Sequence, residues 1–223
     1  MSGDKSPYIL KVEQLVLLYQ KVKAFVLLAE QWDRESKSNI SVFKEQRDAF
    51  DHFMRAAARY LQPTHDAETE RYIDEQFSKA RGHLFRAAYD ALDGLAVSMK
   101  LRVNDAMKDS TTEAIAQVFK DYYGLLVEVG KVEATIAKHR AAKDIGDDHS
   151  QDNLDSYAEN VQRLLKIAEQ CESHVVPIQQ WMAKKKKEDG DAKIAKTKDN
   201  LIWKFLVPIG AAIIGAVVTA ILT

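Results

Sequence analysis

The last nineteen residues of the chain, 205–223, carry no charged side chain. As an α-helix they would extend roughly 28 Å, which is close to the thickness of the hydrocarbon core of a bilayer. The segment is apolar on every side, whereas a helix that packs on a soluble core normally keeps one polar face. We therefore expect residues 201–223 to form one transmembrane helix, with Trp203 and Lys204 at the level of the lipid headgroups.

The residues before this segment are basic. Residues 184–204 hold eight lysines against four acidic residues, a net charge of +4 in a chain whose overall charge is −1. Positive flanks stay on the cytoplasmic side of a membrane. We therefore expect a single-pass membrane protein with a cytoplasmic body over residues 1–183, a basic juxtamembrane linker over 184–200 and a tail anchor inserted after synthesis. The candidate residues for binding anionic headgroups are Lys184, Lys185, Lys186 and Lys187.

Small side chains recur along the expected anchor. Small residues let membrane helices approach each other closely, and pairs four residues apart lie on one side of a helix. The spacing predicts self-association of the anchor, and hence a homo-oligomer. The residues concerned are Gly210, Ala211, Ala212, Gly215, Ala216, Thr219 and Ala220.

The body has few residues that interrupt helices. The whole chain contains only nine glycines and four prolines, which favours long helices over strands joined by turns. Apolar residues recur at intervals of three and four, and short polar stretches separate the repeats. The sequence predicts an all-α, up-and-down bundle of about five long helices, because short connections make successive helices antiparallel. These helices run approximately over residues 6–36, 42–61, 66–108, 110–143, with Ser110 as the first cap of the fourth, and from Ser150 to a kink or end near Pro177.

Two of the helices have a predicted inward face. In the third helix the apolar repeat resembles that of a coiled coil, and its expected core residues are Ile73, Phe77, Ala80, Leu84, Ala87, Ala91 and Leu95. In the second helix the expected inward residues are Phe43, Phe50, Phe53, Met54, Ala57 and Leu61.

Several kinds of chemistry have no support in the sequence. Cys171 is the only cysteine, so neither an intrachain disulfide nor a thiolate metal cage is possible. The six histidines lack the spacing of zinc or di-iron motifs. Phosphate-binding glycine loops and serine nucleophile motifs are also missing. We therefore expect no metal and no cofactor.

One pattern points to catalysis. Arg59 and His65 form an R-x5-H motif, and the following helix carries a polar cluster of Arg81, His83, Arg86, Tyr89 and Asp90. This combination resembles HEPN-like helical domains, many of which are RNases or relics of RNases in prokaryotic defence systems. The resemblance implies that Arg59 stabilises charge on a scissile phosphate while His65 shuttles a proton. Alternatively, the polar cluster stabilises the bundle as a buried network.

Three hypotheses about function follow. We favour a non-enzymatic role, in which the bundle self-associates or binds a protein partner and couples that event to membrane lipid. The concrete form is an effector, such as a defence protein, whose tail helices perturb or permeabilise the bilayer. The alternatives are a membrane-tethered HEPN-like RNase and a passive tail-anchored adaptor. The near-neutral net charge gives no general attraction to nucleic acid.

Overall fold

The chain is all-α, as predicted. The structure, a computed structural model, describes residues 6–33, 39–63, 66–143 and 151–201, and no β-strand occurs in these ranges. Seven helices are described: α1 (Pro7–Trp32), α2 (Ile40–Tyr60), α3 (Ala67–Met107), α4 (Thr112–Val118), α5 (Tyr122–Lys143), α6 (Gln151–Ser173) and α7 (Val175–Leu201).

Side-chain caps fix the starts of the first three helices. The hydroxyl of Ser6 accepts a hydrogen bond from the backbone of Ile9, and Pro7 occupies the first turn, where its missing N–H costs little. Asn39 caps α2, and the carboxylate of Asp66 accepts from the backbone N–H of Thr69 at 2.8 Å. Each cap satisfies a backbone donor that a helix start leaves without an intrahelical partner.

The helices group into two compact units. The first lies within residues 1–108 and 121–172 and contains α1, α2, α3, α5 and α6. The second lies within residues 109–120 and 173–223 and contains α4 and α7. Both units are therefore assembled from two separate stretches of the chain.

The long helix α3 is the centre of the first unit. All seven of its predicted core residues are buried, which confirms the face predicted from the three-four repeat. Helices α1 and α2 both pack on α3. Helices α5 and α6 are tied to it by ion pairs, Lys100 with Glu133 at 3.0 Å and Arg102 with Glu172 at 2.7 Å.

The predicted inward face of α2 is wrong for most of its large residues, although Phe53 is half-buried and its ring lies edge-on to Phe77 of α3 at 6.2 Å. Phe43, Phe50 and Met54 are about half exposed or more, and Leu61, just after the helix, is 82% exposed. The buried residues are instead Val42, Ala49 and Ala56. Small side chains let α2 lie close to α3, and most of the large apolar side chains are left on the other side.

The fourth predicted helix is also wrong in one respect, because it is broken. Helix α4 ends at Val118, and the backbone of Phe119 leaves the helical region before α5 begins at Tyr122. The Phe119 ring stacks on His174 at 3.8 Å, which holds α4 in the second unit. The N-cap is Thr111 rather than Ser110, and its hydroxyl accepts from Ala114 N.

The second unit is built from α4 and α7, which pack on each other. The boundary between α6 and α7 falls at His174, three residues before Pro177, so the expected break near that proline is present. Helix α7 then continues without interruption to Leu201. Residues 184–200 are thus part of a helix, with Lys185 lying 3.4 Å from Glu113 of α4.

Candidate functional site

A ladder of polar pairs crosses the interface between α2 and α3. Arg59 donates to Thr69 at 2.9 Å, the ring of His52 bonds Gln76 at 2.7 Å, and the ring of His83 bonds Glu45 at 2.8 Å. Each step of seven residues forward along α2 is matched by a step of seven backward along α3. The regular step identifies an antiparallel coiled-coil-like pair held in one register.

Glu45 has the most closely surrounded carboxylate of the ladder. One of its oxygens accepts from both His83 Nδ1 and Arg86 Nε, at 2.8 and 2.9 Å. Burial raises the pKa of Glu45, but the hydrogen bonds from Arg86 and His83 outweigh burial and leave its pKa below the ordinary value. Glu45 is therefore a charged partner in the interface, and not a proton donor near neutral pH.

The two histidines of the ladder are stacked. The rings of His52 and His83 lie 5.2 Å apart and nearly parallel, and each ring already bonds a side chain across the interface. A histidine beside a carboxylate is able to move protons. However, the His83 and Glu45 side chains are only 18% and 17% exposed. His83 and Arg86 thus form a network with Glu45, which is only part of the network that the alternative interpretation expected.

Other members of that cluster lie elsewhere. Asp90 accepts from Ser41 of α2 at 2.5 Å, which extends the ladder towards the start of α2. Tyr89 stacks on Tyr157 of α6 at 5.4 Å. Arg81 lines a surface groove next to α1. The structure therefore brings His83, Arg86 and Asp90 to the α2–α3 interface and leaves Arg81 outside it.

Of the proposed catalytic pair, only Arg59 lies within the described residues. Arg59 lies near the end of α2, where it donates to Gln62 at 2.6 Å as well as to the fully buried Thr69. These bonds connect the end of α2 to the start of α3. His65 lies outside the described residues, so the catalytic assignment of Arg59 and His65 stays a prediction.

The outward side of α2 forms an apolar surface. Phe43 and Phe50 of α2 and Val16 and Tyr19 of α1 line a groove of about 620 Å³, all four being substantially exposed. Its floor includes the buried Leu84 of α3. Exposed contiguous apolar surface of this kind marks an interaction site more often than isolated apolar residues do.

The basic end of α7 forms a charged surface. Lys184, Lys186 and Lys187 are exposed, while Lys185 is half-buried and lies over the ring of Trp181 at 5.8 Å. Of these four lysines, only Lys184 pairs with an acidic residue of its own helix, Glu188, at a distance of 3.8 Å. The candidate headgroup-binding lysines are therefore displayed on a regular helix.

The remaining predicted site residues lie outside the described residues. They are Trp203, Lys204 and the small residues of the anchor, Gly210, Ala211, Ala212, Gly215, Ala216, Thr219 and Ala220. Among the helices that the structure describes, none has the length and apolar character needed to cross a membrane.

Neither a metal site nor a reactive thiol has support in the described ranges. No group of histidine, cysteine and acidic side chains there is arranged to hold a metal ion. Cys171 is fully buried, and burial raises the pKa of its thiol to about 11. A thiol with such a pKa is a poor nucleophile near neutral pH.

Comparison with known proteins gives no relative. The chain matches no family model, no curated protein and no solved structure.

Sequence reasoning missed the partners that complete the ladder, Glu45, His52, Thr69 and Gln76. A signal for them exists, because Glu45, His52 and Arg59 follow each other at intervals of seven, as do Thr69, Gln76, His83 and Asp90. This repeat of polar residues is difficult to recognise in the sequence because it has the same seven-residue period as the apolar repeat.

Proposed function

We propose that this protein is a membrane-associated helical scaffold or effector that self-associates and couples assembly of its body to the lipid bilayer. The observation that carries the proposal is the continuous helix α7, whose lysine-rich end leads into the uncharged residues 205–223. Basic residues next to an uncharged segment of that length are typical of a membrane anchor with a cytoplasmic body.

Charge on α7 supports a contact with anionic lipid. Within residues 184–198 there are seven lysines against three acidic residues, and a lysine close to an anionic membrane surface contributes on the order of 1 kcal/mol. The four consecutive lysines lie on all sides of the helix, so some of them face a bilayer whichever side of α7 approaches it.

The body contributes a surface for assembly. The outward side of α2, with Phe43 and Phe50 exposed, offers apolar contact to another protein surface. The small residues of the anchor would allow a second contact in the membrane. Two contacts on one chain favour assembly, since the first raises the effective concentration of the second.

A flotation experiment tests the membrane part. The full chain is compared with a chain lacking residues 201–223, and with a variant in which Lys184 to Lys187 are replaced by serine. We expect the full chain to float with vesicles, the shortened chain to stay in solution as a folded helical protein, and the serine variant to lose preference for anionic over neutral vesicles. A shortened chain that unfolds or aggregates would show that the tail belongs to the core.

A leakage experiment tests the effector part. Vesicles carrying the wild type should release a small dye, and Gly215→Leu or Ala216→Leu should reduce the release, because added bulk separates anchors that need to touch. Neither change lowers hydrophobicity, so membrane insertion should be unchanged. If wild type and variants form the same oligomers and release no dye, a passive adaptor is the better account.

A further inference from the structure

Helix α2 has two faces, and on each of them the residue pattern repeats every seven positions. The face towards α3 holds the ladder residues and the small buried residues between them. The opposite face, which we call the outer stripe, has alternating steps of three and four residues over three heptads, the spacing of a coiled-coil seam. The outer stripe consists of Ile40, Phe43, Arg47, Phe50, Met54, Ala57 and Leu61.

The outer stripe is exposed although it is apolar. Its five large apolar residues are between 47% and 82% exposed. Together with Val16 and Tyr19 of α1 they offer roughly 700 Å² of surface, since an aromatic side chain covers about 150–250 Å² when fully buried. A standard protein interface buries about 800 Å² on each partner. Two copies would bury about 1,400 Å² in total, which lies within the range of roughly 1,200–2,000 Å² that specific interfaces bury.

We propose that the outer stripe pairs with the outer stripe of a second copy of this chain, antiparallel and about a twofold axis. This inference rests on the proposed self-association and locates it in the body. Arg47 is the only charged residue of the stripe. In a parallel pair the two Arg47 side chains would meet, whereas in an antiparallel pair Arg47 faces Phe50 of the second copy, where a guanidinium can lie over an aromatic face.

Flanking charges select both the partner and the register. Lys44 and Asp51 lie on the same edge of the outer stripe, one heptad apart. When Arg47 faces Phe50 of the second copy, Lys44 comes beside Asp51 of the second copy, and the twofold axis repeats this pair. A shift by one heptad would place Asp51 against Asp51 of the second copy. Asp51 already pairs with Arg55 of its own helix at 2.7 Å, and a carboxylate accepts from two cations.

The first test removes apolar contact from the stripe. Phe50→Glu is compared with Leu17→Glu, a residue of similar exposure that lines a different groove. By sedimentation of the full chain in neutral detergent, we expect Phe50→Glu to raise the dimer dissociation constant at least about a hundredfold, because the contact is lost on both copies. Leu17→Glu should change it by less than about twofold. Equal dimers in both variants would overturn the proposal.

The second test uses the charges, and it distinguishes a second copy from any other partner. Lys44→Asp alone and Asp51→Lys alone should each weaken the dimer about tenfold, since two attractive pairs become repulsive. A mixture of these two variants should form heterodimers as tightly as the wild type, because both attractive pairs reappear between unlike chains. Weakened variants that fail to associate with each other would refute the antiparallel register.

Membrane flotation of the same variants keeps this inference separate from the proposed function. We expect all of them to float like the wild type, because α2 is not part of the anchor. A wild type that floats but stays monomeric would overturn the α2 pairing and leave membrane association standing.

Discussion

Helices α2 and α3 pack as an antiparallel pair, but they bring different side chains to the interface. The central helix α3 buries large apolar residues such as Phe77 and Leu84 along with its alanines. Helix α2 buries only valine and alanine between the members of the polar ladder, and it leaves Phe43 and Phe50 exposed. When both faces of a helix repeat every seven residues, the neighbouring helix determines which face packs against it. The face of α3 that contacts α2 packs mostly against small and hydrogen-bonding residues.

The largest expected effect comes from truncating one apolar residue in each helix. Leu95→Ala in α3 should lower the free energy of unfolding by about 2–5 kcal/mol, because Leu95 is fully buried and its loss leaves a cavity. Phe50→Ala in α2 should change it by less than about 0.5 kcal/mol. Urea unfolding followed by circular dichroism, at a protein concentration low enough to keep the chains monomeric, measures both. Equal losses would mean that Phe50 belongs to the core of the body.

An intermediate effect is expected from adding bulk to the close side of α2. Ala49 is buried on the side that faces α3, so Ala49→Leu should cost about 1–3 kcal/mol of unfolding free energy through overpacking. Ala58 is exposed on the same helix, and Ala58→Leu serves as the matched control, with a change within about 0.5 kcal/mol. Thermal unfolding curves compare the two. If both leucines are tolerated equally, the close approach of α2 and α3 is refuted.

The smallest effect, and the one that depends on pH, concerns the ladder. Glu45→Gln should cost about 1.5 kcal/mol at pH 7, since hydrogen bonds to a charged acceptor are replaced by neutral ones. The folded-state pKa of Glu45 is depressed, so its contribution is present above the unfolded pKa, near 4.3, and is lost as the pH falls through the lower folded value. Unfolding of wild type and variant at several pH values measures this difference, which should shrink below about pH 4.

A control for the ladder is available on α3. Glu75 pairs with Lys79 one turn away on the surface, and Glu75→Gln should have a clearly smaller effect than Glu45→Gln. A pH-independent difference for Glu45→Gln would show that the pKa of Glu45 is the same in the folded and the unfolded protein.

Much of the fold could be predicted from local patterns. The all-α class, the starts of α1 and α3, and seven of the buried residues of α3 follow from local sequence signals and the apolar repeat. The orientation of α2 could not be predicted, because two of its faces repeat every seven residues. One face carries Glu45, His52 and Arg59 and the other carries phenylalanines, and only the partners on α3 determine which face packs against it. The break at Phe119 depends on stacking with His174, which is distant in sequence. No glycine or proline marks it.

The candidate surfaces also differ in how much of them could be predicted from the sequence. The lysines of α7 were predicted as headgroup ligands from composition, and their contact with lipid remains a prediction, as do the anchor and the pair of Arg59 and His65. Five residues of the outer stripe were predicted from the sequence to be part of a core face: Phe43, Phe50, Met54, Ala57 and Leu61. Its spacing was recognised, but the direction in which it points depends on tertiary contacts.

The interleaving of the two units has a consequence for the nascent chain. Helix α4 lies near the middle of the sequence, yet its packing partner α7 is the last helix described, so their contact waits until residues 175–201 have been synthesised. The α2–α3 pair is formed from neighbouring stretches and can assemble long before. The second unit therefore closes later during synthesis than the α2–α3 pair.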